Sequence, residues 1–159
     1  MPTNGIDILL LVEDNPADME LTLHALQNTL LSERIHVARD GQEALDYLFA
    51  GGVNRGQILP RPLKLVLLDL NLPKLTGMEV LRAIKSDPHA KIIPVIMLTT
   101  SREERDLVES YSLGANSYVH KPVDFEQFEE VVSKLCLYWL QVNQPPPASA
   151  FQSKQRRQL

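Results

Sequence analysis

Four short apolar runs in this chain end on side chains able to do chemistry. The run "ILLLV" ends on Glu13 and Asp14, "LVLL" on Asp69, "IIPVIML" on Thr99 and Thr100, and "YVH" on Lys121. Three carboxylates gathered at one place repel, and each raises the pKa of the others unless a cation neutralises them. A hard divalent ion with oxygen ligands does so, and Mg²⁺ fits best. It takes one or two carboxylates and keeps water or phosphate oxygens as its remaining ligands. With a lysine and threonine hydroxyls beside the acids, the set reads as a phosphoryl site. A carboxylate nucleophile makes an acyl phosphate, the cation and the lysine hold the phosphoryl oxygens as charge develops, and a threonine donates a hydrogen bond to one of them. Taken singly, each residue has a plainer reading: a solvated acid capping a helix, or a lysine in an ordinary ion pair.

The elements around these residues decide whether they meet. Strands are expected over 8–12, 35–39, 65–69, 93–98 and 117–120. Helices are expected over 16–31, 42–50, 78–86, from Ser101 to about Leu113, and from Asp124 to about Val142. Asn15 with Pro16 suits the start of the first helix. Ser101 with Glu104, and Asp124 with Gln127, match the capping-box pattern. Met19, Leu23, Leu26 and Leu30 recur on one face of the first helix. Phe125, Phe128, Val132, Leu135 and Trp139 do so in the last. Leu107, Val108 and Tyr111 form the only apolar stripe of the fourth. Residues 50–62 read as a long loop.

Five strands alternating with five helices predict an α/β fold, a flavodoxin-like doubly wound sheet of parallel strands in the order 2-1-3-4-5. Its switch point lies between strands 1 and 3. Ligands bind there, beyond the carboxyl ends of the strands, so Glu13, Asp14 and Asp69 are expected to converge.

Composition narrows the class. The chain has 159 residues and a formal net charge of −4. One domain over 5–142 and a disordered Pro-rich, basic tail over 143–159 are expected. The tail carries three basic groups and no acid, which leaves the body with thirteen basic and twenty acidic groups. Such a body argues against nucleic acid as the main partner. The only cysteine, Cys136, rules out an internal disulfide and fits a cytoplasmic protein. No run reaches the length of a membrane span.

The stretches "LVEDN", "LLDLNLPKLTG", "MLTTS" and "YVHKP" resemble the four signatures of the receiver domain of two-component response regulators. The resemblance runs from about Asp7 to Gln141. It implies Mg²⁺-dependent phosphorylation of Asp69 by a sensor histidine kinase, in a domain that catalyses only its own phosphorylation and dephosphorylation. It implies that Asp14 and Asp69 coordinate Mg²⁺ with their carboxylates, Asn71 with its backbone carbonyl, and Glu13 through water. Thr99 and Lys121 would bind the phosphoryl group, Thr99 and Tyr118 would form the switch, and a cis bond would join Lys121 to Pro122. The run "LLDLNLPKLTG", the long loop before strand 3, and "KPVDFEQF" followed by "YWL" are similar to single-domain regulators paired with cyanobacterial phytochromes.

Two features depart from the common pattern. Glu13 stands where most receivers have Asp, and Thr100 stands where many have Ala or Gly. The larger Thr100 is expected to slow loss of phosphate. Ala17, Leu21 and Ala25 form a second strip on the first helix, suited to docking a kinase. Leu137, Tyr138 and Leu140 fall outside the core stripe of the last helix and suggest a homodimer through helix 4, strand 5 and helix 5.

Three other readings are weaker. A haloacid-dehalogenase-like phosphatase wants an acid where Asn71 stands. A flavodoxin-like electron carrier needs a Thr/Ser/Gly-rich loop where "EDNPAD" stands. A receiver that only binds would not need the full set of Asp14, Asp69, Thr99 and Lys121.

Overall fold

The computed structural model describes residues 8–27, 35–49, 60 and 62–151. Leu30 and the rest of the stretch 28–31 expected to be helical, most of the expected 50–62 loop and the basic end of the tail lie outside these residues. Five strands, β1 (Leu9–Val12), β2 (Ile35–Ala38), β3 (Leu65–Leu68), β4 (Val95–Thr99) and β5 (Ser117–His120), form one parallel sheet in the order β2-β1-β3-β4-β5. Five helices accompany them: α1 (Pro16–Gln27), α2 (Gly41–Phe49), α3 (Gly77–Ser86), α4 (Glu104–Leu113) and α5 (Phe125–Cys136). The expected fold and strand order are observed.

Strand alternation splits the apolar interior in two, because successive side chains point to opposite faces. Leu10, Val12, Val66, Leu68, Val95 and Met97 join Ala44, Leu48, Val80, Leu81 and Ile84 on the α2–α3 side. Leu9, Leu11, Leu65, Leu67, Ile96 and Leu98 join Met19, Ala25, Leu26, Phe128, Val132 and Cys136 on the α1–α5 side. Both faces being covered explains why these strands read as unbroken apolar runs.

Helix starts differ from expectation at α3, α4 and α5; at α5 Asp124 accepts Gln127 N–H, but the reciprocal half of the expected capping box is not made. Ser101 does not cap α4, which begins at Glu104 after Glu103 with no side-chain cap. The Ser101 hydroxyl donates instead to Asp106 Oδ2 at 2.6 Å. A complete capping box occurs at α3, where Thr76 and Glu79 bond reciprocally. The signal "TGME" carries it.

Helical faces also depart from the sequence reading. Leu107, Val108 and Tyr111 do not anchor α4, for all three are exposed. The only buried residue of α4 is Ser110, whose hydroxyl lies 3.7 Å from Met78 Sδ of α3. Phe125 is not a core residue either: it is 54% exposed at the first turn of α5. The buried stripe of α5 is Phe128, Val132 and Cys136.

Beyond Cys136 the helix widens into a π-helical stretch, Leu137–Val142, closed by Asn143 N–H donating to Tyr138 O. Residues past 142 were expected to lack structure. Ala148–Phe151 instead makes a 3₁₀ turn, and Phe151 is 3% exposed within the α2–α3 core. The segment thus leaves the α1–α5 side and seats its phenyl ring on the other side of the sheet. The described peptide bonds are all trans, that of Lys121–Pro122 included.

Candidate functional site

Ladder hydrogen bonds run one residue past the strand ends and fix the backbone of the reactive residues. Glu13 N–H donates to Ala38 O at 3.0 Å, Asp69 N–H to Val12 O at 3.2 Å, and Lys121 N–H to Thr99 O at 2.8 Å. Gly77 closes the turn after β3, its N–H donating to Leu70 O at 2.8 Å. A Cβ at Gly77 would collide with the backbone carbonyl of Asp69, so the "LTG" glycine lets α3 start close to the acid. Asn15 caps α1 as expected, Oδ1 accepting from Ala17 and Asp18 N–H.

These constraints bring Glu13, Asp14, Asp69 and Lys121 together. One carboxylate oxygen from each acid lies within 4.8 Å of the others. Glu13 and Asp69 are buried and Asp14 is exposed. A cleft of about 430 Å³ opens over them, lined by Asp14, Asn15, Pro16, Asp18, Asp69, Asn71, Thr100 and Lys121.

Lys121 is 5% exposed, and its ammonium meets three carboxylates: Glu13 Oε1 at 2.6 Å, Asp18 Oδ2 at 2.9 Å and Asp69 Oδ2 at 3.0 Å. Burial pulls its pKa down, but Asp69, Glu13 and Asp18 outweigh burial and hold the ammonium well above its ordinary value. Burial pushes Glu13 up to about 7 against the pull of Lys121, and the charge of Asp69 adds to the rise. An excess of negative charge at a half-open cleft suits a divalent cation. Glu13, Asp14 and Asp69 offer it oxygens at compatible spacing.

Not every predicted residue lines the cleft. Thr99 is fully buried, and its hydroxyl accepts from Ser101 N–H at 3.2 Å, while Thr100 lines the opening. Asn71 lines it too, its N–H reaching Asp69 Oδ1 at 3.3 Å. Tyr118 is half-buried against the α2–α3 core, its hydroxyl donating to Ser101 O at 3.3 Å.

Of the α1 strip, Ala17 is exposed, Leu21 is half-buried against the α1–α5 core, and Ala25 is fully buried. Ala25 therefore cannot dock a partner: α1 packs on α5, and this small side chain lies in the core shared with Phe128 and Val132. Leu140 is half-buried on the same core, whereas Leu137 and Tyr138 are about half exposed, at 48% and 49%. Sequence reasoning missed Asp18, although "EDNPAD" holds it, and it missed the exposure of Val123 and Phe125 just after Lys121.

Residues 9–133 match the response regulator receiver domain. The chain belongs to that family. This receiver domain is 45% identical over 141 residues to the probable methanogenesis regulatory protein FilR2 of Methanothrix harundinacea, covering 87% of each chain. It is 38% identical over 146 residues to response regulator Rcp1 of Synechocystis sp., covering 92% of this chain and 97% of that one.

Among solved structures, it resembles the Mn²⁺-bound form of Rcp1 with a TM-score of 0.78 at 38% identity, over 89% of this chain and 99% of that one. It also resembles the phosphorylated cyanobacterial phytochrome response regulator RcpA, with a TM-score of 0.77 at 40% identity, over 87% of this chain and 97% of that one. Receiver domains accept phosphoryl groups from sensor histidine kinases and bind Mg²⁺ or Mn²⁺ at an acidic pocket. The acids of this receiver domain have the types and spacing such a pocket needs. None of its described helices is long and apolar enough to cross a membrane.

Proposed function

We propose that this chain is a cytoplasmic single-domain response regulator that takes a phosphoryl group onto Asp69 from a sensor histidine kinase, in a Mg²⁺-dependent reaction. The observation that carries the reading is the buried contact of Lys121 with Asp69 at the mouth of an acidic cleft. An oxygen of Asp69 attacks phosphorus, the P–N bond to the donor histidine breaks, and its electron pair stays with the imidazole, which takes up a proton.

Asp14 and Asp69, the backbone carbonyl of Asn71 and, through water, Glu13 are the residues to hold Mg²⁺. When bound it offsets charge on the phosphoryl oxygens. Lys121 donates to one of those oxygens. Thr99 reaches another by giving up Ser101 N–H, which ties the chemistry to the loop carrying the Tyr118 hydrogen bond.

The kinase docks on exposed apolar residues beside the cleft, Ala17 of α1 with Val123 and Phe125 after β5. Leu21, half-buried, borders that surface. The likeness to RcpA, a cyanobacterial phytochrome response regulator, supports a phytochrome as the sensor. Output passes through α4, β5 and α5, by altered protein contact, including a homodimer, or by passing the phosphate along a relay. Exposed Leu107, Val108 and Tyr111 with Leu137 and Tyr138 supply apolar surface for that contact.

Intact mass after acetyl phosphate tests the core of the reading. A Mg²⁺-dependent phosphoryl adduct that Asp69→Asn abolishes is expected. An adduct of equal yield on Asp69→Asn, or none on the wild-type chain, overturns it.

A further inference from the structure

Lys121 has three ammonium hydrogens, and the structure supplies three carboxylates, at 2.6, 2.9 and 3.0 Å. Two of them, Glu13 and Asp69, follow β1 and β3 and belong to the group of acids suited to a cation. The third, Asp18, stands in the first turn of α1 and is not in that group. Its backbone is held from both sides. Asn15 Oδ1 accepts Asp18 N–H at 3.1 Å, and Thr22 Oγ1 donates to Asp18 O at 2.7 Å. The side chain is 26% exposed and lines the cleft, whereas that of Lys121 is 3% exposed. Asp18 therefore reaches in from the helix to complete the coordination of a buried cation.

We infer that Asp18 is a positioning residue for phosphoryl transfer, acting through Lys121. The inference rests on the reading of Asp69 as the phosphoryl acceptor. When Asp69 bonds phosphorus, its negative charge moves outward to the phosphoryl oxygens. The ammonium hydrogen on Asp69 must follow it. The other two hydrogens stay on Glu13 and Asp18, so the ammonium turns about two fixed points. Without Asp18 only Glu13 would hold the end of a four-carbon stem with several free torsions. Misplacement of a charge-stabilising group by a fraction of an ångström slows a reaction that depends on positioning. Asp18 also withdraws some of the ammonium's charge from Asp69. That opposing effect is the smaller one, because Asp18 is part exposed and water screens it.

The test uses the full chain and the variants Asp18→Ala and Asp18→Asn, with acetyl phosphate as donor at saturating Mg²⁺. The rate of adduct formation on Asp18→Ala should fall about tenfold. Asp18→Asn keeps an acceptor oxygen and should lose only about threefold. The ¹H–¹⁵N signal of the Lys121 ammonium, recorded at low temperature without Mg²⁺ or donor, provides an independent readout. It should be visible in the wild-type chain and broadened by exchange in Asp18→Ala, a change that an acid merely stabilising the start of α1 would not cause.

If Asp18→Ala does not fold, the rate and ammonium signal of Asp18→Asn decide, and no change in either overturns the proposal. Equal rates for wild type and a folded Asp18→Ala overturn it alone. A wild-type chain that takes no phosphoryl group overturns the Asp69 reading as well.

Discussion

Tyr118 and Ser101 are joined by a hydrogen bond from the tyrosine hydroxyl to the serine carbonyl, 3.3 Å long. Ser101 in turn gives its own N–H to Thr99 Oγ1 at 3.2 Å. Burial holds the Tyr118 phenol above its ordinary pKa against the pull of its hydrogen bond to Ser101, and the charges of Asp106 and Asp69 add to the rise. Movement of Thr99 toward a phosphoryl group would free Ser101 N–H and pull on this bond. Tyr118→Phe should cost about 1 kcal/mol in stability. It should also reduce the amide-shift response of α4 to beryllofluoride. An α4 response as large as wild type would remove Tyr118 from the signalling route.

Thr100 lines the cleft beside Asp69. Water attacking an acyl phosphate on Asp69 would enter through this cleft. Thr100→Ala should shorten the lifetime of the phosphorylated chain by roughly threefold, since exclusion of water protects such intermediates. The check is the decay of the adduct by intact mass after donor removal.

Ala17 is exposed on α1, one residue from the cleft-lining Pro16 and Asp18. Ala17→Glu should slow transfer from a phosphorylated kinase about tenfold, as expected when a charge is placed in an apolar contact. Phosphorylation by acetyl phosphate should continue at the wild-type rate. Equal slowing with both donors would move the kinase contact elsewhere.

Much of this was legible in sequence because buried parallel strands advertise themselves. The apolar runs before Glu13, Asp69, Thr99 and Lys121 are also the elements that carry these residues to one rim. Asp18 was not legible. Its link to Lys121 joins a helical turn to a strand end 103 residues away, and no local pattern records it. Ala25 was misjudged because a small residue on a helix reads the same whether it faces water or another helix. Ser101 and Glu104 matched a capping motif, yet a nearby acid took the serine hydroxyl. Phe151 was hidden because a single anchor in a Pro-rich segment has no period to detect.

Phe151 fills part of the α2–α3 core. Phe151→Ala should cost about 3 kcal/mol by chemical denaturation. Ser149→Ala, in the same 3₁₀ turn and exposed, should change stability by less than about 0.5 kcal/mol. Equal midpoints for Phe151→Ala and wild type would show that the ring contributes nothing to the fold.

Cys136 is fully buried in the α1–α5 core, and burial pushes its thiol up to about 12 from an ordinary 9.0. An unfolded chain gives up this proton near pH 9, whereas the folded chain keeps it until about 12. Stability from this group is thus fully present below pH 9 and is lost as pH rises from 9 to 12. Cys136→Ala should be less stable than wild type at pH 7, by about 1 kcal/mol for the lost packing. The gap should narrow above pH 9 in urea melts, and thiol reagents at pH 7 should label Cys136 only as fast as the protein unfolds.

The path from Cys136 to Phe151 has a mechanical meaning. The sheet partitions the interior into two compartments, and this short length of backbone is moored in both. Loosening either compartment slackens the tether on the other. The two halves should therefore melt in a single cooperative step, with hydrogen exchange in α2 and α5 converging on one opening energy.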